Sequence, residues 1–276
     1  MTPKDWIKSQ LGVWEVFYEK RDIRDKEVHP AVMPIALAKH AIELFTHRGE
    51  LVLDPFNGIG TTLLAAKDLD RNAVGFDISA KFCKSSKQRL AQSKLAGDSQ
   101  QLVVCDDARN ISSYLSNDSV KLIFTSPPYA NLLNRRRLNK SRRSDERHNK
   151  QYLKVEQYSQ DERDLGTLQI EDYSSQLKSI YERLLPLLVP RGHSIINVPD
   201  MWWSDGNGGK RIPIHIYVYH AMLDAGFELR NTIIWDRTGI VNRIGIFGWP
   251  SNYITMGTTF EYLLDFWRPP SPMKKD

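Results

Sequence analysis

Two short stretches of this sequence set residues in patterns that chemistry could use. The first is Leu51-Val52-Leu53-Asp54-Pro55-Phe56-Asn57-Gly58-Ile59-Gly60-Thr61-Thr62. Three apolar residues read as a buried strand, an acid stands where it ends, two glycines follow at Gly-x-Gly spacing, and a helical run begins. Glycine lacks a Cβ, so the backbone can turn tightly and a ligand can lie against it. The free N–H groups of the helix start beside the same place. The second stretch is Thr125-Ser126-Pro127-Pro128-Tyr129, again at the end of an apolar run. Its prolines stiffen a turn and fix the direction of its carbonyls. Each stretch alone is also compatible with a plain tight turn, the second more so than the first.

The elements that must position them follow from the pattern. Asn72–Asp77 reads as a second strand ending in an acid, and Asp77 lies 23 residues after Asp54. An acid about 20 residues beyond a glycine turn, at the next strand's tip, is placed to hold ribose hydroxyls. Gln101–Val104 is a third strand, closed by Cys105, Asp106 and Asp107, and Val120–Phe124 is the fourth. Four strands thus carry polar residues at their carboxyl ends, the edge where open α/β sheets bind ligands. Ser194–Val198, Leu229–Trp235 and Thr259–Trp267 complete a count of seven, and Met201–Lys210 reads as a loop. Helical spacing marks residues 35–45, 61–69, 80–95, 177–188 and 214–225. Residues 1–28 read as a packing arm of unassigned structure.

The 276 residues, with 41% hydrophobic and 26% charged, are ordinary for a globular protein and long enough for a sizeable core. No apolar run reaches the ~20 residues that span a bilayer, and the start is not a signal peptide, so the expectation is a cytoplasmic protein with no membrane contact. Cys83 and Cys105 carry no metal spacing; they read as small buried residues, and no metal site is expected. The net charge is +5, and residues 131–150 alone hold eight Arg or Lys against two acids. All the excess positive charge therefore sits in one segment, which suggests a polyanion contact. Residues 131–167 exceed the usual connection length and read as an insertion.

Together the stretches HPAVMP, DPFNGIGTT, GFDIS, CDDAR, TSPPY, GKRIPIH with IIWDR, and TTFEYLLDFWR resemble the AdoMet-dependent DNA amino-methyltransferases, and their cytosine-N4 branch most closely. They cover most of residues 29–268. The resemblance implies a Rossmann-like class I methyltransferase fold in one α/β domain over residues 1–276. Its sheet would have seven strands, mostly parallel with the last antiparallel. A basic insertion at about 131–170 and a loop at about 237–257 are then the candidates for target reading. The resemblance places His29, Pro30 and Pro34 at the methionine moiety of S-adenosyl-L-methionine. Asp54, Phe56, Gly58, Gly60 and Thr61 fall in its glycine-rich loop, Asp77 on the ribose, Ile78 beside the adenine ring, and Asp107 or Asp106 near the adenine amine. Ser126, Pro127, Pro128 and Tyr129 fall in the catalytic motif. In many cytosine-N4 enzymes the catalytic motif precedes the cofactor motif; here the order is reversed, as in a circular permutation.

That motif suits an exocyclic base amine, whose lone pair is delocalised into the ring. Ser126 Oγ and the Pro127 carbonyl can accept the two amine protons and turn the nitrogen towards a tetrahedral shape, while Tyr129 offers a ring for stacking. The base would have to leave a duplex to be reached. The resemblance implies DNA as the partner, through base flipping, with a cognate restriction endonuclease as a candidate second. Arg135, Arg136, Arg137, Arg142 and Arg143 are the candidates for backbone contacts. The blander readings are a solvated arginine run, capping roles for Asp106 and Asp107, packing roles for Trp202 and Trp203, and structural roles for His193, His215 and His220.

Overall fold

A computed structural model describes residues 3–19, 22, 32–93, 97–133, 161–203, 210–239 and 258–270. The chain opens with helix α1 (Pro3–Ser9) and strand β1 (Val13–Glu15), followed by α2 (Ile35–Phe45). Then come β2 (Leu51–Asp54), α3 (Thr61–Asp68), β3 (Asn72–Asp77), α4 (Ala80–Gln92), β4 (Gln101–Cys105) and β5 (Val120–Thr125). After these come α5 (Ile170–Leu184), β6 (Leu188–Val198), β7 (Met201–Trp203), β8 (Lys210–Ile212), α6 (Ile214–Asp224), β9 (Glu228–Asp236) and β10 (Phe260–Trp267).

Eight strands form one sheet in the order β1-β9-β10-β6-β5-β2-β3-β4. Only β10 is antiparallel to its neighbours; every other pairing is parallel. The expected last-strand reversal is therefore present, but the count is eight rather than seven. The additional strand comes from the N-terminal arm. Val13, Trp14 and Glu15 pair with Ile234, Trp235 and Asp236, and buried Trp14 meets the His40 ring edge-on at 4.5 Å. Trp235 Nε1 donates to the Val16 carbonyl at 2.9 Å, which fixes the arm's exit. Three residues are too few for an alternating pattern to announce a strand.

Adjacent residues of each central strand face opposite layers, which explains their unbroken apolar runs. Val52, Ala73, Leu122 and Ile195 join α2 and α3 in one core. Leu53, Val74, Ile123 and Ile196 join α5 and α6 in the other. Along α5, Tyr173, Leu177, Ile180, Tyr181 and Leu184 are buried at helical spacing.

Three other expectations are corrected. Met201–Trp203 and Lys210–Ile212 form a two-stranded antiparallel ribbon where a loop was expected. Helix α5 stops at Leu184, because Pro186 cannot continue it, and β6 begins at Leu188, six residues before the expected start. Cys105 is exposed, since β4 is the sheet's edge strand; Cys83 is buried as expected. Among the described residues no helix is long and apolar enough to cross a membrane.

The chain runs from β2 outward through β3 to β4 and returns to the other side of β2 as β5. The strand order reverses between β2 and β5, so a crevice opens at their carboxyl ends. Both chemistry-bearing stretches leave the sheet there.

Candidate active site

Asp54, the last residue of β2, closes this crevice from below. It is 4% exposed. Its Oδ1 accepts hydrogen bonds from Thr125 Oγ1 at 2.6 Å and Phe56 N at 3.1 Å, and its Oδ2 from Thr62 Oγ1 at 2.6 Å. One carboxylate thus joins the tips of β2 and β5 to the first turn of α3. Burial pushes the carboxyl up to about 6, against the opposing pull of the Thr125, Thr62 and Phe56 donors.

The glycine-rich turn follows. Gly60 adopts φ +82°, and a Cβ there would lie 2.1 Å from Ser86 Oγ on α4. Its role is thus to let α3 and α4 approach, and it does not line the pocket. Gly75 on β3 is needed for a similar reason: a Cβ would lie 2.4 Å from Asn57 Oδ1. Asn57, buried, donates to Ser86 Oγ at 3.0 Å and holds the turn onto α4.

Asp77 ends β3 and faces the same turn. Its Oδ2 accepts from Gly58 N at 2.7 Å and its Oδ1 from Ser79 N at 2.8 Å. Burial pushes its carboxyl up to about 7; the two amides oppose this, and the negative charges of Asp164 and Asp54 add to it. Beyond β4, the two neighbouring acids separate. Asp107 is 7% exposed, caps the short turn Ala108–Ser113 through the Arg109 amide at 2.8 Å, and binds Arg109 Nη1 at 2.6 Å. Asp106 turns to the surface, where Asn110 and Tyr114 donate to it at 2.9 Å each, and it does not line the pocket.

From β5, Ser126-Pro127-Pro128-Tyr129 forms the opposite wall. Ser126 Oγ and Tyr129 Oη lie 2.7 Å apart, and the Tyr129 side chain is 7% exposed. The intervening cleft is open to solvent and is bordered by both turns. It brings together Asp54, Phe56, Gly58, Thr61, Asp77, Ile78, Asp107 and the Ser126–Tyr129 turn. Gly60, Asp106 and Pro34 do not border it. Pro34 is buried as the N-cap of α2, and its neighbours Val32 and Met33 reach the cleft instead. His29, Pro30, Arg135, Arg136, Arg137, Arg142 and Arg143 lie outside the described residues, as do 134–160 and 240–257.

Sequence reasoning missed several lining residues: Ser79, Phe82, Arg109, Arg163, Asp164 and Leu165. Asp164 is the most consequential, because the segment holding it read as target-reading insertion. The missed signal is Asp164-Leu165-Gly166-Thr167, an acid capping a short helical turn, with its Oδ1 accepting from Gly166 N at 2.7 Å.

A second polar group lies two strands along the same edge. Asp200 Oδ1 meets His215 Nδ1 at 2.6 Å, and the His215 ring stacks on Tyr262 at 4.1 Å. Buried Glu261 accepts from Asn197 Nδ2 at 2.8 Å and pairs with Arg237, and burial raises its carboxyl. His193 is 2.7 Å from fully buried Asp265 in the core, a structural pairing. Among the described residues no group of three or more His, Cys, Asp or Glu side chains could hold a metal ion.

A family model described as DNA methylase matches residues 4–88 and 120–273. The Type II methyltransferase M.HpaI of Haemophilus parainfluenzae is 35% identical over 79 residues, which is 29% of this chain and 25% of that protein. The Type II methyltransferase M.HindIII of Haemophilus influenzae is 51% identical over 53 residues, 19% of this chain and 17% of that one. The matched stretches thus span a quarter or less of these relatives. A SAM-dependent methyltransferase from Methanosarcina mazei superposes with a TM-score of 0.52 over 84% of this chain and 98% of its own. The identity is 8%, so it shares the fold alone.

Proposed function

The chain belongs to the DNA methylase family, and from that membership we propose that it transfers a methyl group from S-adenosyl-L-methionine to an exocyclic amine of a base in DNA. Of the two amines open to such an enzyme, we propose cytosine N4. The observation that carries the reading is the cleft at the β2/β5 reversal. There the glycine turn and Asp77 face the serine-led turn across one continuous space.

The lining fits the cofactor. Asp77 presents a carboxylate at the tip of β3, where ribose hydroxyls can donate to it, and Phe56, Ile78 and Phe82 supply apolar surface for a purine. Asp107 stands beside this group at the next strand's end. When bound, the cofactor supplies an electrophilic sulfonium methyl.

The protein's part is positioning and oriented dipoles. The Tyr129 hydroxyl, 2.7 Å from Ser126 Oγ, can donate to it. That fixes the serine rotamer and leaves a lone pair on Oγ for one amine proton. Pro127 offers its carbonyl to the other, and the second proline holds that carbonyl's direction. Neither group needs to change protonation state, so the site works by orienting the amine rather than by removing a proton beforehand. Thr125 hydrogen-bonds to Asp54, which locks this corner to the cofactor side. The choice of cytosine rests on Ser126 at the head of the turn, where a neutral hydroxyl replaces a carboxylate. Flipping of the base from the duplex is part of the proposal, since an amine inside the duplex cannot be presented to the Ser126–Tyr129 turn. The Arg-rich segment after Tyr129 would take the phosphates.

The test is nucleoside mass spectrometry of duplex DNA incubated with the protein and S-adenosyl-L-methionine. N4-methylcytosine is expected. N6-methyladenine as the sole product would overturn the base assignment, and methyl incorporation into RNA alone would overturn the substrate.

A further inference from the structure

Among the described residues the charges that border the cleft are unbalanced: four carboxylates line it, Asp54, Asp77, Asp107 and Asp164, against the two guanidinium groups of Arg109 and Arg163. Each guanidinium already has an acid, Arg109 with Asp107 and Arg163 with Asp161, both at 2.6 Å. Asp54 is satisfied by three donors from the protein and Asp77 by two backbone amides.

Asp164 differs from these. It is 95% buried. Its Oδ1 caps the turn through Gly166 N, while its Oδ2 has no hydrogen-bond partner among the described residues. It is also held in place. Its own amide donates to the Asp161 carbonyl at 2.9 Å, and Thr167 Oγ1 donates to the Asp164 carbonyl at 2.8 Å. The same segment is fastened to the catalytic corner. Asn131 N donates to the Leu168 carbonyl at 2.9 Å, and Leu165 shares a core with Tyr129 and Ala130. The fixed carboxylate of a buried residue thus borders the cleft beside the serine-led turn. Its like-charged neighbour is Asp77, whose proton it helps to retain.

This arrangement bears on the two forms of the cofactor under the methyltransferase reading, on which the inference rests. S-adenosyl-L-methionine carries a sulfonium and an ammonium against one carboxylate, a net charge of +1. The demethylated product, S-adenosylhomocysteine, has an uncharged sulfur and a net charge of zero. We propose that Asp164 is a specificity-determining residue of the cleft: its buried negative charge favours the cationic methyl donor over the neutral product, so that methyl transfer itself loosens the product. A unit charge in a water-poor crevice acts over several ångströms, so a single carboxylate can shift the ratio of the two affinities by about tenfold.

The experiment is calorimetric titration of the full chain, unaltered and as Asp164→Asn, with S-adenosyl-L-methionine and with S-adenosylhomocysteine. Asparagine caps a helical turn as well as aspartate does, so the local fold is kept while the charge is removed. The expected result is an affinity for the methyl donor about tenfold lower in the variant, with that for the product changed by less than about twofold. Equal losses for both ligands, or none for either, would overturn the assignment of Asp164. Should the asparagine variant not fold, Asp164→Ser, which also caps, is read by the same ratio. If the unaltered protein binds neither ligand, the methyltransferase reading itself fails, which separates that failure from the failure of the role of Asp164.

Discussion

Replacing Asp54 by asparagine should make the ligand-free protein more stable, although the substitution alters a buried group with three hydrogen bonds. The carboxyl titrates near 6 in the folded chain against an ordinary 3.8, because burial disfavours its charge more than its donors favour it. The folded state therefore holds this proton to higher pH than the unfolded state does. Unfolding releases protons between about pH 4 and 6, and stability falls as pH rises through that window. The loss saturates above the folded value at about 3 kcal/mol, the free-energy equivalent of holding the group at about 6 rather than 3.8. Asparagine can keep the local bonds. Its Oδ1 can accept from Thr125 Oγ1 and Phe56 N, and its Nδ2 can donate to Thr62 Oγ1, whose own proton turns to the Phe124 carbonyl 3.4 Å away. Urea unfolding of both proteins from pH 4 to 8 reads the difference. The variant should gain up to about 3 kcal/mol at pH 8 and nothing near pH 4. Asp54→Ala leaves Thr125, Thr62 and Phe56 without their acceptor and should lose about 3 kcal/mol or more. An asparagine variant less stable than the parent at pH 8, or a difference that does not vary with pH, would refute the reasoning.

Other outcomes follow from the same geometry. Asp107→Asn should weaken binding of S-adenosyl-L-methionine by about tenfold while Asp106→Asn leaves it unchanged, because only Asp107 borders the cleft; equal effects in calorimetry would contradict that division. Tyr129→Ala should lower kcat by about a hundredfold with little change in cofactor affinity, since it removes both the ring and the partner of Ser126; single-turnover rates beside binding isotherms separate the two. Gly60→Ala should destabilise the fold by about 2–4 kcal/mol, as φ is +82° and its Cβ would meet Ser86 Oγ at 2.1 Å; a melting temperature unchanged by the substitution counts against the close approach. Removing the charges of Arg135, Arg136 and Arg137 should flatten the salt dependence of DNA binding by about one logarithmic unit of slope for each phosphate no longer neutralised, measured by fluorescence anisotropy at several salt concentrations.

The parts of this molecule that were legible in the sequence are those whose signal is local. Asp54 and Asp77 directly follow an apolar run and Ser126 stands two residues beyond one, and such runs are what parallel strands covered on both faces must be. Seven strands of the sheet were legible in the sequence, although β10 is antiparallel to its neighbours. What stayed hidden depends on distant partners. Val13-Trp14-Glu15 is a strand only because β9, more than 200 residues later, offers an edge. Met201–Trp203 is one only because Lys210–Ile212 returns beside it. Asp106 and Asp107 are adjacent acids in the sequence, and only the turn that Asp107 caps decides which of them faces inward. Asp164 was hidden for another reason, since a stretch rich in charge and poor in periodicity gives no sign of where its end will pack.

The crevice also shows why a stable arrangement was not the whole requirement. Asp54 and Asp77 are held at about 6 and about 7, so at neutral pH Asp54 is mostly ionised and Asp77 about half ionised, and the fold opposes the burial of that charge. Thr125, Thr62, Phe56 N, Gly58 N and Ser79 N offset part of that cost, yet a core of the same shape with neutral side chains would be more stable. Natural chains lie close to their stability threshold, and acids retained against such a cost belong to a ligand's needs rather than to the fold's. The cationic cofactor offsets the same repulsion when it binds, so the groups that weaken the free protein are those that should tighten the complex. Stability of the free chain and affinity for the methyl donor should therefore move in opposite directions when these carboxylates are neutralised. Asp54→Asn tests that relation, with stability read by urea unfolding and affinity by calorimetry.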